Sequence, residues 1–206
     1  MGKGMRTRFA RRSLNLQPKE LIVVAVEGAV TEITYVDALC RCFQEKSERS
    51  GNRRTVCLKC KSADHQSAPI ACLRLLKRMI KEDEIDDNYH AWLICDRDEW
   101  PKKQFDEIQE WIKQDPKRRH WALSSPNFEH WLALHFDDGS KVKDYFNRYD
   151  KRVKTTDFSY GQIVGACKKA RRARENELSL FDCDGSDMYR FVEFLAERYG
   201  LSEDFK

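Results

Sequence analysis

ELIVVAVEG (residues 20–28) is a short, unbroken apolar run, rich in β-branched residues, that stops at an acid and a glycine. Consecutive rather than alternating apolar positions belong to a strand buried on both faces, as in a parallel sheet covered by helices. Thr31 then supplies a helix N-cap, and Tyr35, Leu39, Cys42 and Phe43 share one face of a helix to about residue 48. The alternation recurs downstream. RRTVCLKC (53–60) reads as a second strand, and Pro69 opens a helix with Ile70, Leu73, Leu76, Met79 and Ile80 at helical spacing. YHAWLIC (89–95) is a third strand, followed by a helix from Pro101 whose Phe105, Ile108, Trp111 and Ile112 face inward. HWALSS (120–125) is the fourth, and PNFEHWLALHF (126–136) puts Phe128, Trp131, Leu132 and His135 on one helical stripe. Four strand–helix alternations predict an α/β fold: a four-stranded, mainly parallel sheet flanked by helices.

Beyond about residue 138 the chain turns polar and helical, which divides it into a basic N-terminal arm (1–17), a core (18–138) and a helical C-terminal extension packed on that core (139–206). DGSKVKDYFNRYDKRVKTTDF (138–158) reads as a short helix and loop. GQIVGACKKARRARENE (161–177) is a basic helix, and SDMYRFVEFLAERYG (186–200) an amphipathic one. The apolar face of the last, with Tyr189, Phe191, Val192, Leu195 and Tyr199, can pack either on the core or on a second copy of the chain as a homodimer.

Charged residues make up 35% of the 206 residues, yet 38 Lys and Arg against 34 Asp and Glu leave a net charge of only +4. Any affinity for nucleic acid must therefore come from local basic clusters rather than the overall field. No apolar run approaches the length of a membrane span, which argues against a membrane partner. MGKGMRTRFARR is basic without an apolar stretch behind it, unlike a secretory signal, and Arg6 breaks the myristoylation pattern. These features predict a cytoplasmic protein whose 8 cysteines are reduced. Cys57-x-x-Cys60, with His65 beyond, lacks the second pair that a zinc site needs.

In open parallel sheets, functional groups collect at the carboxyl ends of strands, and here acids recur there. Glu27 follows the first strand, Asp96 and Asp98 the third, and Glu129 lies one helical turn past the fourth. If the extended backbone persists, Asp96 and Asp98 point to one side with Arg97 opposed. Two carboxylates so close repel, and a divalent cation relieves the repulsion. Gly28 permits a tight turn or the close approach of another group. Glu32 falls in a first helical turn, where the helix dipole favours an acid in any case. Ser125 reads as an N-cap with Pro126 first in the helix, so the capping-box position is Phe128 and the box leaves Glu129 unexplained.

Glu27-Gly28 after a buried strand, with Asp96-x-Asp98 after a later one, resembles the Toprim domain of topoisomerases, primases and overcoming-lysogenization-defect nucleases. More closely, EGAVTEITY (27–35), CDRDEW (95–100) and SSPNFEHWLALHF (124–136) resemble the RloB family of bacterial defence and restriction loci. The resemblance covers residues 15 to 200 in order and spacing. It implies a Toprim-like core and an Mg2+- or Mn2+-dependent nuclease. Glu27 would be a metal ligand or general acid/base, and Asp96 and Asp98 ligands. Glu32, Ser125 and Glu129 would serve a second metal, and Lys154 would supply a downstream catalytic lysine. One departure stands out: the second acid of the overcoming-lysogenization-defect pattern falls on Thr31, one residue before Glu32. The resemblance further implies an abortive-infection effector paired with an AAA or ABC-type ATPase, and with no GxxxxGK[ST] loop this chain would not supply that ATPase activity itself.

For the nucleic acid substrate, DNA or RNA including tRNA, the helix with Lys168, Lys169, Arg171, Arg172 and Arg174 is the candidate binding surface. Two other classes stay open: a DxD phosphatase or phosphotransferase, and a non-catalytic module that binds nucleic acid or the ATPase.

Overall fold

A computed structural model describes residues 20–52, 54–63, 68–82, 88–136, 158–175 and 184–206. The arm 1–17, Lys154 and nearly all of the segment 138–158 lie outside the described residues. Five strands form one mixed sheet: β1 (Leu21–Val26), β2 (Cys57–Ser62), β3 (Tyr89–Asp96), β4 (Arg119–Ser125) and β5 (Gly185–Ser186). Their order is β2-β1-β3-β4-β5. The first four are mutually parallel, and β5 pairs antiparallel with β4 through Ser124–Ser186 and Ser125–Gly185. The sheet thus has five strands rather than four. Two residues carry too little pattern to read as a strand, and Ser124 and Ser186 meet only across the fold, their hydroxyls 2.9 Å apart.

The helices divide between the two faces, as right-handed crossovers require when the chain moves from β1 to one neighbour and later returns past it to the other. Helix α1 (Thr31–Arg49), α4 (Phe128–Ala133), α5 (Tyr160–Glu175) and α6 (Met188–Tyr199) cover one face. There Ile22, Val24 and Val26 pack with Trp92, Ile94, Tyr35, Phe43, Trp131 and Phe191. On the other face α2 (Pro69–Glu82) and α3 (Lys102–Lys113) meet Val23, Ala25, Leu93 and Cys95. Successive β1 residues feed opposite clusters, which is why ELIVVAV carries no polar position between Leu21 and Val26. The face of α6 that could have served a second copy is buried on the sheet, with Phe191, Val192 and Leu195 all fully covered.

Several local expectations are corrected. Strand β2 runs Cys57–Ser62 rather than 53–60, as an edge strand whose side chains alternate in exposure, so Cys57 and Cys60 lie on opposite faces. Thr31 is the first residue of α1 rather than its cap; Val30 occupies the cap position with no side-chain bond. Helix α4 begins at Phe128, with Asn127 rather than Ser125 as N-cap. Ser125 is still the last residue of β4, and Pro126 and Asn127 lie between it and the helix; the Ser125–Pro126 bond is cis.

At the amino ends of β3 and β4, far from the carboxyl ends, Glu20 binds His90 at 2.9 Å and Arg198 at 3.1 Å. His90 in turn meets His120 at 3.2 Å. This latch fastens α6 to the sheet and leaves the opposite rim for the acids.

Candidate active site

Strand order reverses direction between β1 and β3: from β1 the chain goes outward to β2, then returns to β3 on the other side. A crevice opens outside the carboxyl ends of two strands at such a switch point. Glu27 directly follows β1, and Asp96 ends β3. The Glu27 carboxylate accepts the backbone N–H of Asp96 through Oε2 at 3.0 Å, so the two strand ends are tied by an acid.

Asp98 does not continue the extended alternation. Its φ is 37°, in the left-handed region that Asp tolerates better than most residues, and its N–H donates to the Pro126 carbonyl at 3.0 Å. Arg97 N–H likewise donates to Ser124 O at 2.7 Å. The turn after β3 is thereby bonded to the turn after β4, which leads into α4 and Glu129.

Gly28 is not needed for a left-handed turn, because the described positive-φ glycines are Gly51 and Gly200. It is needed for close approach. Its N–H donates to Glu32 Oε1 at 3.1 Å, and a Cβ at Gly28 would stand 2.0 Å from Glu32 Oε2. The Glu32 carboxylate lies against the Gly28 backbone and is buried, with 7% of the residue exposed.

The electrostatics centre on Asp96. Burial raises its carboxyl to about 9, and Glu27, Glu32, Glu129 and Asp98 all push in the same direction. Glu27 is raised to about 7, by burial first, with Asp98 and Glu32 adding to it and the Asp96 N–H opposing. Burial and then Glu129 raise Glu32, and burial with Glu99 raises Asp98. Asp96 thus feels all four of the other acids, Glu27, Glu32, Glu129 and Asp98.

The donor chemistry fits a hard divalent cation. The acids are carboxylates, the oxygen ligands that magnesium and manganese take, and a cation relieves their mutual repulsion; the Cys72 thiol beside them is pushed up to about 12 by burial and by Glu27, Glu32 and Asp96. In the turn whose Pro126 carbonyl accepts the Asp98 N–H, the buried Ser125 Oγ and Asn127 Oδ1 have no hydrogen-bond partner among the described residues. Buried polar atoms are rarely left so. As placed, no three His, Cys, Asp or Glu among the described residues form a group that could hold an ion. Glu27 and Glu32 each direct one oxygen to a backbone amide.

Over residues 22–195 the chain matches the family model described as RloB-like protein. The chain belongs to the RloB-like family. That match spans the strand ends carrying Glu27, Asp96 and Ser125 and reaches into both C-terminal helices of this RloB-like chain. No curated protein and no solved structure gives a match to set beside it.

Asn127 escapes a reading of the sequence that gives the cap to Ser125. Asn is among the strongest N-cap residues, and its place directly before Phe128-Glu129 is the available signal. The basic helix α5 is less open than its composition implies. Arg171 pairs with Glu193 and also donates to the Phe205 carbonyl at 2.7 Å. Lys169 donates to Leu134 O at 3.0 Å, and Arg174 stands 3.5 Å from Asp187. Lys168 and Arg172 are exposed.

Proposed function

We propose that this RloB-like chain is a Toprim-type nuclease, hydrolysing phosphodiester bonds of DNA or RNA with Mg2+ or Mn2+ at the carboxyl rim of its sheet. The observation that carries the reading is the position of Asp96, half-buried at the switch point and raised together by Glu27, Glu32, Glu129 and Asp98. Phosphodiester hydrolysis needs an activated water, a polarised phosphorus and a stabilised leaving oxygen, and bound divalent ions supply these.

The chain's own groups have distinct parts in this reading. Asp96 is the shared ligand, with Asp98 and Glu27 as its partners toward one ion and Glu32 and Glu129 toward a second. Glu27 would instead move the proton if the ion is held by Asp96 and Asp98 alone. Ser125 Oγ and Asn127 Oδ1 orient water or substrate with hydrogen-bonding capacity that the protein does not use. Lys154 keeps the role that the family resemblance implies. In the cell such an activity would act as an effector of bacterial anti-phage defence, restrained by an AAA or ABC-type ATPase partner.

The test is incubation with plasmid, single-stranded DNA and total tRNA, with Mg2+ and with Mn2+, for wild type, Glu27→Gln and Asp96→Asn. Metal-dependent loss of a substrate by wild type, absent in both folded variants, supports the reading. Intact substrates throughout, or full activity in both variants, would refute it.

A further inference from the structure

A groove of about 340 Å3 lies between the flank of α1 and the start of α5. Its volume is in the range of sites that hold small organic groups. Arg41, Lys46 and Arg49 line it along α1, with Glu45 among them and Asp204 accepting the Tyr160 hydroxyl at 2.7 Å. Glu45 neutralises little: it meets Arg49 at 3.5 Å with both side chains largely in solvent, where such pairs are weak. Arg41 is exposed and has no ion pair among the described residues. Phe158 and Tyr160 form the floor, and Lys46 Nζ sits 4.9 Å from the centre of the Tyr160 ring.

The groove is continuous with the elements of the acid cluster. Phe158 stacks at 4.1 Å on His135, which follows the helix bearing Glu129. Helix α1 carries Glu32 in its first turn and the three cations farther along the same rod. At 1.5 Å per residue, Arg41 lies about 14 Å from Glu32 along the axis and Arg49 about 26 Å. The cations therefore span about 12 Å, more than one phosphate occupies, which favours a strand over a free mononucleotide. On α5, by contrast, Arg171 and Lys169 are drawn into contacts within the fold.

We propose that this groove binds the sugar–phosphate backbone of a single-stranded nucleic acid whose scissile bond lies at the acid cluster. The assignment rests on the nuclease reading for its substrate class, but it is tested by binding alone. The probe is a fluorescein-labelled single strand of about 15 nucleotides, made as DNA and as RNA, followed by anisotropy in EDTA over a series of salt concentrations.

Wild type should bind with an affinity that falls steeply with salt. Arg41→Ala/Arg49→Ala should bind about tenfold or more weakly, with a salt slope shallower by about 1.4, roughly 0.7 for each phosphate no longer neutralised. Arg41→Lys/Arg49→Lys should bind as wild type does, which excludes a folding defect as the cause. Asp96→Asn should also retain binding. Unchanged affinity and slope in the alanine variant, or no binding of either strand by wild type, overturns the proposal. Neither result touches the nuclease reading, which stands or falls on cleavage by wild type beside Asp96→Asn.

Discussion

The carboxylate of Glu27 accepts the backbone N–H of Asp96 at 3.0 Å, across 69 positions of sequence. This bond holds an acid of one strand end over the acid of the next, in a setting that raises both. The arrangement makes sense if the raised carboxylates are meant to be neutralised by a cation. Replacing Asp96 by its neutral isostere should then separate function from fold. If the nuclease reading holds, Asp96→Asn is expected to lower cleavage by about two to three orders of magnitude, as loss of a charge-stabilising group commonly does.

Its stability should move the other way at high pH. A carboxyl raised to about 9 binds its proton more tightly in the folded chain than in the unfolded one, where its ordinary value is 3.8. The associated stability is full below the unfolded value and is lost as pH rises through the folded one. In EDTA the melting temperature of wild type should thus fall between pH 6 and 9, and that of Asp96→Asn should fall less, as followed by circular dichroism. Equal slopes would show that Asp96 is not in a repulsive buried setting.

Gly28 and Glu32 should behave as one unit. A Cβ at Gly28 would meet Glu32 Oε2 at 2.0 Å, and the group that must yield is the end of a flexible side chain. Gly28→Ala is therefore expected to cost about 1–2 kcal/mol, chiefly the lost amide–carboxylate bond. In a Glu32→Ala background the same substitution should cost much less. A double-mutant cycle by urea denaturation checks this, and additive losses would contradict the pairing of the two residues.

Tyr35 and His135 form the buried link between α1 and α4. Nδ1 of His135 lies 3.2 Å from the carbonyls of Trp131 and Leu132, which makes it the donor nitrogen and leaves Nε2 to accept the Tyr35 hydroxyl at 3.2 Å. Tyr35→Phe should cost about 1–3 kcal/mol by orphaning that nitrogen in the core. Burial lowers His135 to about 4, so the unfolded chain takes up its proton near 6.5 while the folded chain does not. Stability from this residue is present above 6.5 and is lost as pH falls toward 4, by up to about 3 kcal/mol. His135→Gln, which can keep both bonds, should flatten the acid limb of the stability profile.

The cations of α5 should sort by their partners. Arg171, bonded to Glu193 and to the Phe205 carbonyl, should cost about 1–2 kcal/mol when changed to Ala. Lys168→Ala and Arg172→Ala, on exposed side chains, should stay within about 0.5 kcal/mol of wild type. Chemical denaturation of the three variants decides the matter.

These cases also show which parts of the molecule can be read from its sequence. ELIVVAV and YHAWLIC are legible because a strand buried on both faces leaves little room for polar residues, and the acids that end them are conspicuous for that reason. The parallel pairing of the first four strands follows from their alternation with helices, but their order β2-β1-β3-β4 does not. The rest depends on long-range or backbone detail. Strand β5 exists because Ser186 meets Ser124. Asp98 leaves the extended path because its amide is taken by the Pro126 carbonyl. The start of α4 at Phe128 reflects a turn that composition alone assigns equally well to Ser125 or Asn127. Which arginines of α5 are tied down depends on Glu193 and the chain end, both distant in sequence.

Calorimetric titration with Mn2+ of wild type beside Asp96→Asn bears most directly on the proposed sharing of a cation by these acids. Saturable uptake by wild type, abolished in a variant that still melts cooperatively, is the predicted result. No uptake by wild type even with nucleic acid present, or equal uptake by both proteins, would contradict it.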